Sequence, residues 1–271
     1  MQPDRGHAIR AARLLNAAAA TLATGVLTDS TTEHYRAAFH NSAMFVAPAV
    51  SAAALSTSIA ASVAPNRHLR ARETVFAAAI ATGLVGFGYH LANVSRRVGG
   101  WNSANVFHGA PVAAPLAITM AGILGFAASR IAAGDTSRIP PGAALGALAA
   151  VGLAGTSAEA TALHFRGAFQ NPFMYAPVAI PPVAAMALAA ASVSDSPRTR
   201  TAAKMLLQVI ALLGIAGVGF HTWGVQRRMG GWRNWRQNVL AGPPLSAPPA
   251  FTGLALAGLA ALELVETGRA R

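Results

Sequence analysis

The chain is 271 residues long, 54% apolar and only 11% charged, with a formal net charge of +12. A soluble domain usually carries about 25% charged residues, so the composition excludes an ordinary water-soluble globule. There is no cysteine, which excludes disulfides, cysteine-ligated iron–sulfur clusters and thiol-attached haem, and 20 of the 21 basic residues are Arg, mostly beside apolar runs, the pattern of orientation signals and not of a nucleic-acid surface.

In chain order, eight apolar segments have the length needed to cross about 30 Å of hydrocarbon. They are Ala11–Leu27, Ala43–Ala64, Thr74–Leu91, Ala110–Ser129, Ile139–Thr156, Pro172–Val193, Met205–Val225 and Gly242–Leu262. None shows the wide polar face of a soluble core helix. The first follows Arg5, Arg10 and Arg13 and has the flanks of a signal peptide. Its Gly25 and Thr31 return as Gly155 and Thr161, so it is expected to be a retained structural span. Small residues recur at spacing four in Ala78/Thr82/Gly86, Gly142/Gly146 and Gly253/Ala257/Ala261, which permits close helix packing in lipid. Prolines gather near one end of the spans, and the deeper ones are expected to kink a helix or free a carbonyl.

The chain repeats itself. His34-Tyr35-Arg36-Ala37-Ala38-Phe39-His40-Asn41, then Met44, returns as His164-Phe165-Arg166-Gly167-Ala168-Phe169-Gln170-Asn171, then Met174. Gly88-Tyr89-His90, then Arg96-Arg97-Val98-Gly99-Gly100-Trp101, returns as Gly219-Phe220-His221, then Arg227-Arg228-Met229-Gly230-Gly231-Trp232. Asn105-Val106 through Gly109, Pro111 and Pro115 returns as Asn238-Val239 through Gly242, Pro244 and Pro248. The expected architecture is an all-α integral membrane protein of eight transmembrane helices in two tandem four-helix repeats, residues 1–135 and 136–271. Four spans per copy make the repeat parallel.

The connections alternate. The N-terminal arm, Arg67–Arg72, Arg130–Arg138, Arg198–Lys204 and the tail hold 13 of the 21 basic residues. The other side holds Arg36, Arg96, Arg97, Arg166, Arg227, Arg228, Arg233 and Arg236. The positive-inside rule then places both termini in the cytoplasm of a multi-pass inner (plasma) membrane protein. The cytoplasmic turns Pro65-Asn66, Gly134-Asp135 and Asp195-Ser196-Pro197 read as plain tethers. Every strong repeat identity lies on the opposite side, where the longest connections run from about Asn93 to Gly109 and from Gly224 to Gly242.

The spans carry almost no ionisable residue near mid-membrane, which weighs against an ion-driven transporter. Chemistry is expected at the outer face. There Asp29 matches Glu159, His34 matches His164, His90 matches His221, Arg36 matches Arg166 and Arg97 matches Arg228. The histidines and arginines form a candidate cofactor set, with imidazoles as ligands of a b-type haem or as partners of a quinone headgroup. Asp29, His34, His40, His90, His108, Glu159, His164 and His221 form a candidate set for a divalent metal. The bland alternative is that these groups cap helix ends and snorkel to headgroups. His40 becomes Gln170 and His108 falls opposite Ala241, which favours the first half for a single site, while Arg233, Trp235 and Arg236 in the second half suit a docking surface.

The layout of two four-helix units resembles the membrane subunits of quinone-reactive oxidoreductases of the polysulfide reductase type. With the repeated polar residues all on one side, the chain is expected to be a membrane anchor and electron-transfer subunit bound to an extracytoplasmic redox partner. The alternatives are a non-redox scaffold, assembly factor or small-solute permease, and a metal-dependent membrane enzyme.

Overall fold

A computed structural model describes residues 5–65, 67–109, 111–135, 137 and 140–269. Arg138 and Arg271 of the charge count, Asn66 of the first turn, and Ala110 and Ile139 at the edges of two expected spans lie outside the described residues. The described residues form helices and no strand. In order they are α1 (Arg5–Arg36), α2 (Val46–Val63), α3 (Leu69–Ser95), α4 (Ser103–His108), α5 (Leu116–Ala132), α6 (Gly142–Arg166), α7 (Ala176–Val193), α8 (Pro197–Gln226), α9 (Trp235–Ala241) and α10 (Pro249–Arg269). Single 3₁₀ turns precede α2, α7 and α9.

Among the described residues, six helical segments are long and apolar enough to cross a membrane: Ser42–Val63, Leu69–Ser95, Gly142–Arg166, Pro172–Val193, Pro197–Gln226 and Pro249–Gly268. They point to a multi-pass membrane protein. The α5 helix is apolar but only 17 residues long, and α1 carries the first expected span inside a helix with charged ends. Two expected spans start late. The chain from Pro111 to Pro115 and from Pro243 to Pro248 stays outside the regular helix, because each proline lacks an N–H.

The packing sets α1, α2, α3 and α5 in a ring, and α6, α7, α8 and α10 in another of the same order. The principal contact between the rings is α1 against α10, the most buried of the six apolar segments. Exposed apolar side chains sit on the outer helices, among them Leu84 and Val85 on α3, Met186 on α7 and Leu212 and Ile215 on α8. In water such a surface would aggregate, whereas in lipid it is matched.

Glycines make the close contacts. A β-carbon on Gly83 would stand 2.6 Å from the Pro115 carbonyl oxygen, and one on Gly214 2.8 Å from that of Pro248. Thr119 and Thr252, one turn along, donate hydroxyls to the carbonyls of Ile80 and Ala211 at 3.4 and 2.8 Å. Between the rings, Gly253 admits Leu22, whose Cγ lies 2.8 Å from where a β-carbon would stand. Gly152 admits Leu254 and, with Cε 3.5 Å from the β-carbon position, Met120 of α5.

The deep prolines behave as expected and have a partner that the sequence did not announce. Pro181 and Pro182 lie inside α7, so the carbonyls four residues earlier lose their donors. Buried Ser157 of α6 donates its hydroxyl to both, at 2.9 Å to Pro177 and 3.2 Å to Val178. Ser157→Ala is expected to lower stability by about 1–3 kcal/mol, the cost of unpaired buried acceptors. In a Pro181→Ala/Pro182→Ala background, where N–H donors return, the same change is expected to be nearly silent. Thermal melting of the four proteins in detergent closes this cycle.

Candidate functional site

The repeated outer motifs build two matching corners. After α1 and α6 the chain takes positive φ at Ala38 and Phe39 (56° and 45°) and at Ala168 and Phe169 (53° and 46°), values uncommon outside glycine. Aromatic stacking holds them: Phe39 on Phe45 at 4.3 Å and Phe169 on Tyr175 at 4.5 Å between centroids. Asn41 and Asn171 then start the next helical turn, accepting from the N–H groups of Ala43 and Phe173 at 2.9 and 3.0 Å.

All four repeated histidines sit half-buried at this rim and use the same atom. Nδ1 of His34 meets the Met44 carbonyl at 2.5 Å, and Nδ1 of His164 meets that of Met174 at 2.9 Å. Nδ1 of His90 meets the Pro111 carbonyl at 2.7 Å, and Nδ1 of His221 meets that of Pro244 at 2.6 Å. A carbonyl can only accept, so each Nδ1 carries a proton, and the neutral form of such a ring has its lone pair on Nε2. Among the described residues none of these Nε2 atoms has a hydrogen-bonding partner. His164 and His221 stand on helices that lie diagonally across their ring, and they are within electrostatic reach of each other.

The other candidates are spread along the rim. His40 bonds locally to the Ala37 carbonyl at 3.0 Å, and His108 lies edge-on to Phe107. Arg36 pairs with Glu33. Arg166 lies 4.5 Å over the Phe107 ring, joining the end of α6 to α4. Arg236 stacks on Tyr35 and donates to its hydroxyl, joining α9 to the end of α1, so it is engaged within the chain. Arg97 and Arg228 are exposed. Asp29 accepts from Ser246 at 2.9 Å, and Glu159 is within electrostatic reach of Asp29. The cleft beside Asp29, which also touches Thr32, Glu33 and Arg36, has a volume of about 40 Å³. That suits about one ordered water, against the roughly 300–1,000 Å³ of a small-molecule site.

Among the described residues, the one group of three possible metal ligands whose donor atoms lie within 4.8 Å of one another is elsewhere: His7, Glu263 and Glu266, at the other end of the bundle. It is embedded in cations. Lys204 Nζ lies 2.9 and 3.0 Å from the Glu266 oxygens, and Arg10 Nε lies 3.3 Å from Glu263. This is an ion-pair clasp that ties α1, α8 and α10 together. The matching positions in the first ring, Glu73 and Arg130, pair at 3.2 Å with the charges reversed relative to Lys204 and Glu263, which lie 3.8 Å apart. Sequence reasoning missed this pair because it searched for identities. A search for compensating charges at offsets of 131 and 133 residues finds it. The basic residues of this end also cap helices: buried Arg72 donates to the Ala64 and Pro65 carbonyls at the end of α2, and Arg200 to Ser194 after α7.

Comparison of the chain with protein-family models, with curated proteins and with solved structures finds no match.

Proposed function

We propose that this protein is an integral anchor subunit of the inner (plasma) membrane, with eight spans in two tandem parallel four-helix repeats and both termini in the cytoplasm. Its outer rim holds an extracytoplasmic redox protein and exchanges electrons with it through a quinone or a b-type haem. The 17 residues of α5 reach the lower limit for a span, and Ala11–Leu27 within α1 contains one charge, Arg13. The observation that carries the functional reading is the shared use of Nδ1 by the four rim histidines. An imidazole whose Nδ1–H is held by a carbonyl is oriented and keeps Nε2 as a ligand or acceptor, as a metal-ligating histidine usually does. A bound haem would supply one-electron transfer. The chain's own part is to hold the four imidazoles by Nδ1 and leave Nε2 open.

The test is a reduced-minus-oxidised visible spectrum of detergent-purified protein with quinone extraction. Haem bands, or about one quinone per chain, are the expected result; neither being present removes the redox reading. The second reading is a non-redox scaffold or assembly factor. It is favoured by the structural work the same histidines already do in tying loops to helix ends, and it predicts a colourless, quinone-free protein.

A further inference from the structure

The connections that follow α3 and α8 share a shape that the histidines do not require. Gly99 and Gly100 have φ of 84° and 56°, and Gly230 and Gly231 have 79° and 51°, where a β-carbon is strained. The Gly100 N–H donates to Arg97 and the Gly231 N–H to Arg228, both at 2.8 Å. Asn105 Nδ2 donates to the Val98 and Gly100 carbonyls at 2.9 and 2.8 Å, and Asn238 Nδ2 donates to those of Met229 and Gly231 at 3.1 and 2.8 Å. Each loop is therefore cross-linked by its own hydrogen bonds, and each lifts one apolar side chain clear of the protein: Val98 is 100% exposed and Met229 92%. Two exposed arginines precede each tip, and an exposed tryptophan, Trp101 or Trp232, follows two glycines later.

Among the described residues no carboxylate pairs with Arg96, Arg97, Arg227 or Arg228. Four uncompensated guanidiniums on the translocated side run against the positive-inside bias, and each pair stands beside an exposed apolar tip and an exposed tryptophan. Both features suit a bilayer surface. The loops leave the ends of α3 and α8, the helices whose apolar faces are exposed as lipid-facing helices require. At that depth a tryptophan and an apolar tip meet the boundary between acyl chain and headgroup, and paired guanidiniums meet phosphate oxygens in their preferred geometry.

We propose that each loop is a clasp for the headgroup of an anionic phospholipid. Arg96-Arg97 and Arg227-Arg228 bind the phosphate, and Val98 or Met229 inserts beside the first methylenes. The inference rests on the membrane placement proposed above and is independent of the redox reading. An acidic partner protein would use the arginines but leave the two apolar tips unexplained.

The test is a titration of the full chain in detergent with short-chain phosphatidylglycerol and, separately, phosphatidylcholine. The expected result is saturable binding with phosphatidylglycerol preferred at least about tenfold, given roughly fivefold per arginine near an anionic surface. The preference should vanish in R96Q/R97Q/R227Q/R228Q and survive in R67Q/R70Q at the opposite end. A preference that survives the first variant overturns the proposal, as does equal binding of glycerol phosphate without acyl chains. The chain has no native cysteine, so Val98→Cys can be labelled with an impermeant maleimide in intact cells and in inverted vesicles. Labelling only from the cytoplasmic side would overturn the orientation of the proposed anchor while leaving the lipid titration to stand or fall alone.

Discussion

Replacing Gly83 or Gly214 by valine is expected to cause a large loss of stability. At Gly83 the new β-carbon would stand 2.6 Å from the Pro115 carbonyl oxygen and 2.7 Å from the Thr119 nitrogen; at Gly214 it would stand 2.8 Å from both the Pro248 oxygen and the Thr252 nitrogen. These are main-chain atoms and no rotamer change moves them aside. Relief requires α3 to retreat from α5, or α8 from α10, which also breaks the threonine hydroxyl bonds to Ile80 and Ala211. Overpacking against side chains costs about 1–3 kcal/mol, and a clash with backbone belongs at the upper end or above it. At about 2–4 °C per kcal/mol, melting in detergent should fall by roughly 10 °C. Gly88 and Gly219 have open space where a β-carbon would go, and alanine at either should leave the melting point unchanged or raise it. Equal melting of the Gly83 and Gly88 variants would contradict the packing described.

The second large effect separates the two jobs of the rim histidines. Asparagine places an amide N–H near the position of Nδ1 and has nothing at Nε2; glutamine does the reverse. His164→Asn and His221→Asn should therefore keep the bonds to the Met174 and Pro244 carbonyls and lose less than about 1 kcal/mol. The glutamine variants should lose about 1–3 kcal/mol through the freed carbonyl. If the anchor carries a haem or quinone through Nε2, the asparagine variants will be folded and empty. If the histidines only tie loops, the asparagine variants will match the parent in both stability and spectrum.

Much of the rim was legible because identity between the two halves marked it. Gly99-Gly100 and Gly230-Gly231 recur in both halves, and all four residues take positive φ. The placement of His34 and His90 at the same end of the bundle followed from span order. What those histidines touch was not legible, since their partners are backbone carbonyls and a carbonyl has no letter in the sequence. Ser157 was overlooked for a similar reason: its partners are acceptors released by Pro181 and Pro182 on another helix. The ends of α5 and α10 were drawn too early because apolar composition runs on through Pro111–Pro115 and Pro243–Pro248, where the backbone cannot yet form a helix. The ion pairs opposite the rim escaped because the halves keep the pairing and exchange its signs.

The contact of Leu22 with Gly253, and of Met120 with Gly152, bears on how such a chain could have arisen. In the proposed duplicated arrangement these are equivalent positions with large and small exchanged. Two copies of the first half would meet leucine against methionine twice, and two copies of the second would face glycine against glycine across a void. Only the mixed pairing fills the seam. In that proposed arrangement each half supplies at this seam the side chain that the other lacks.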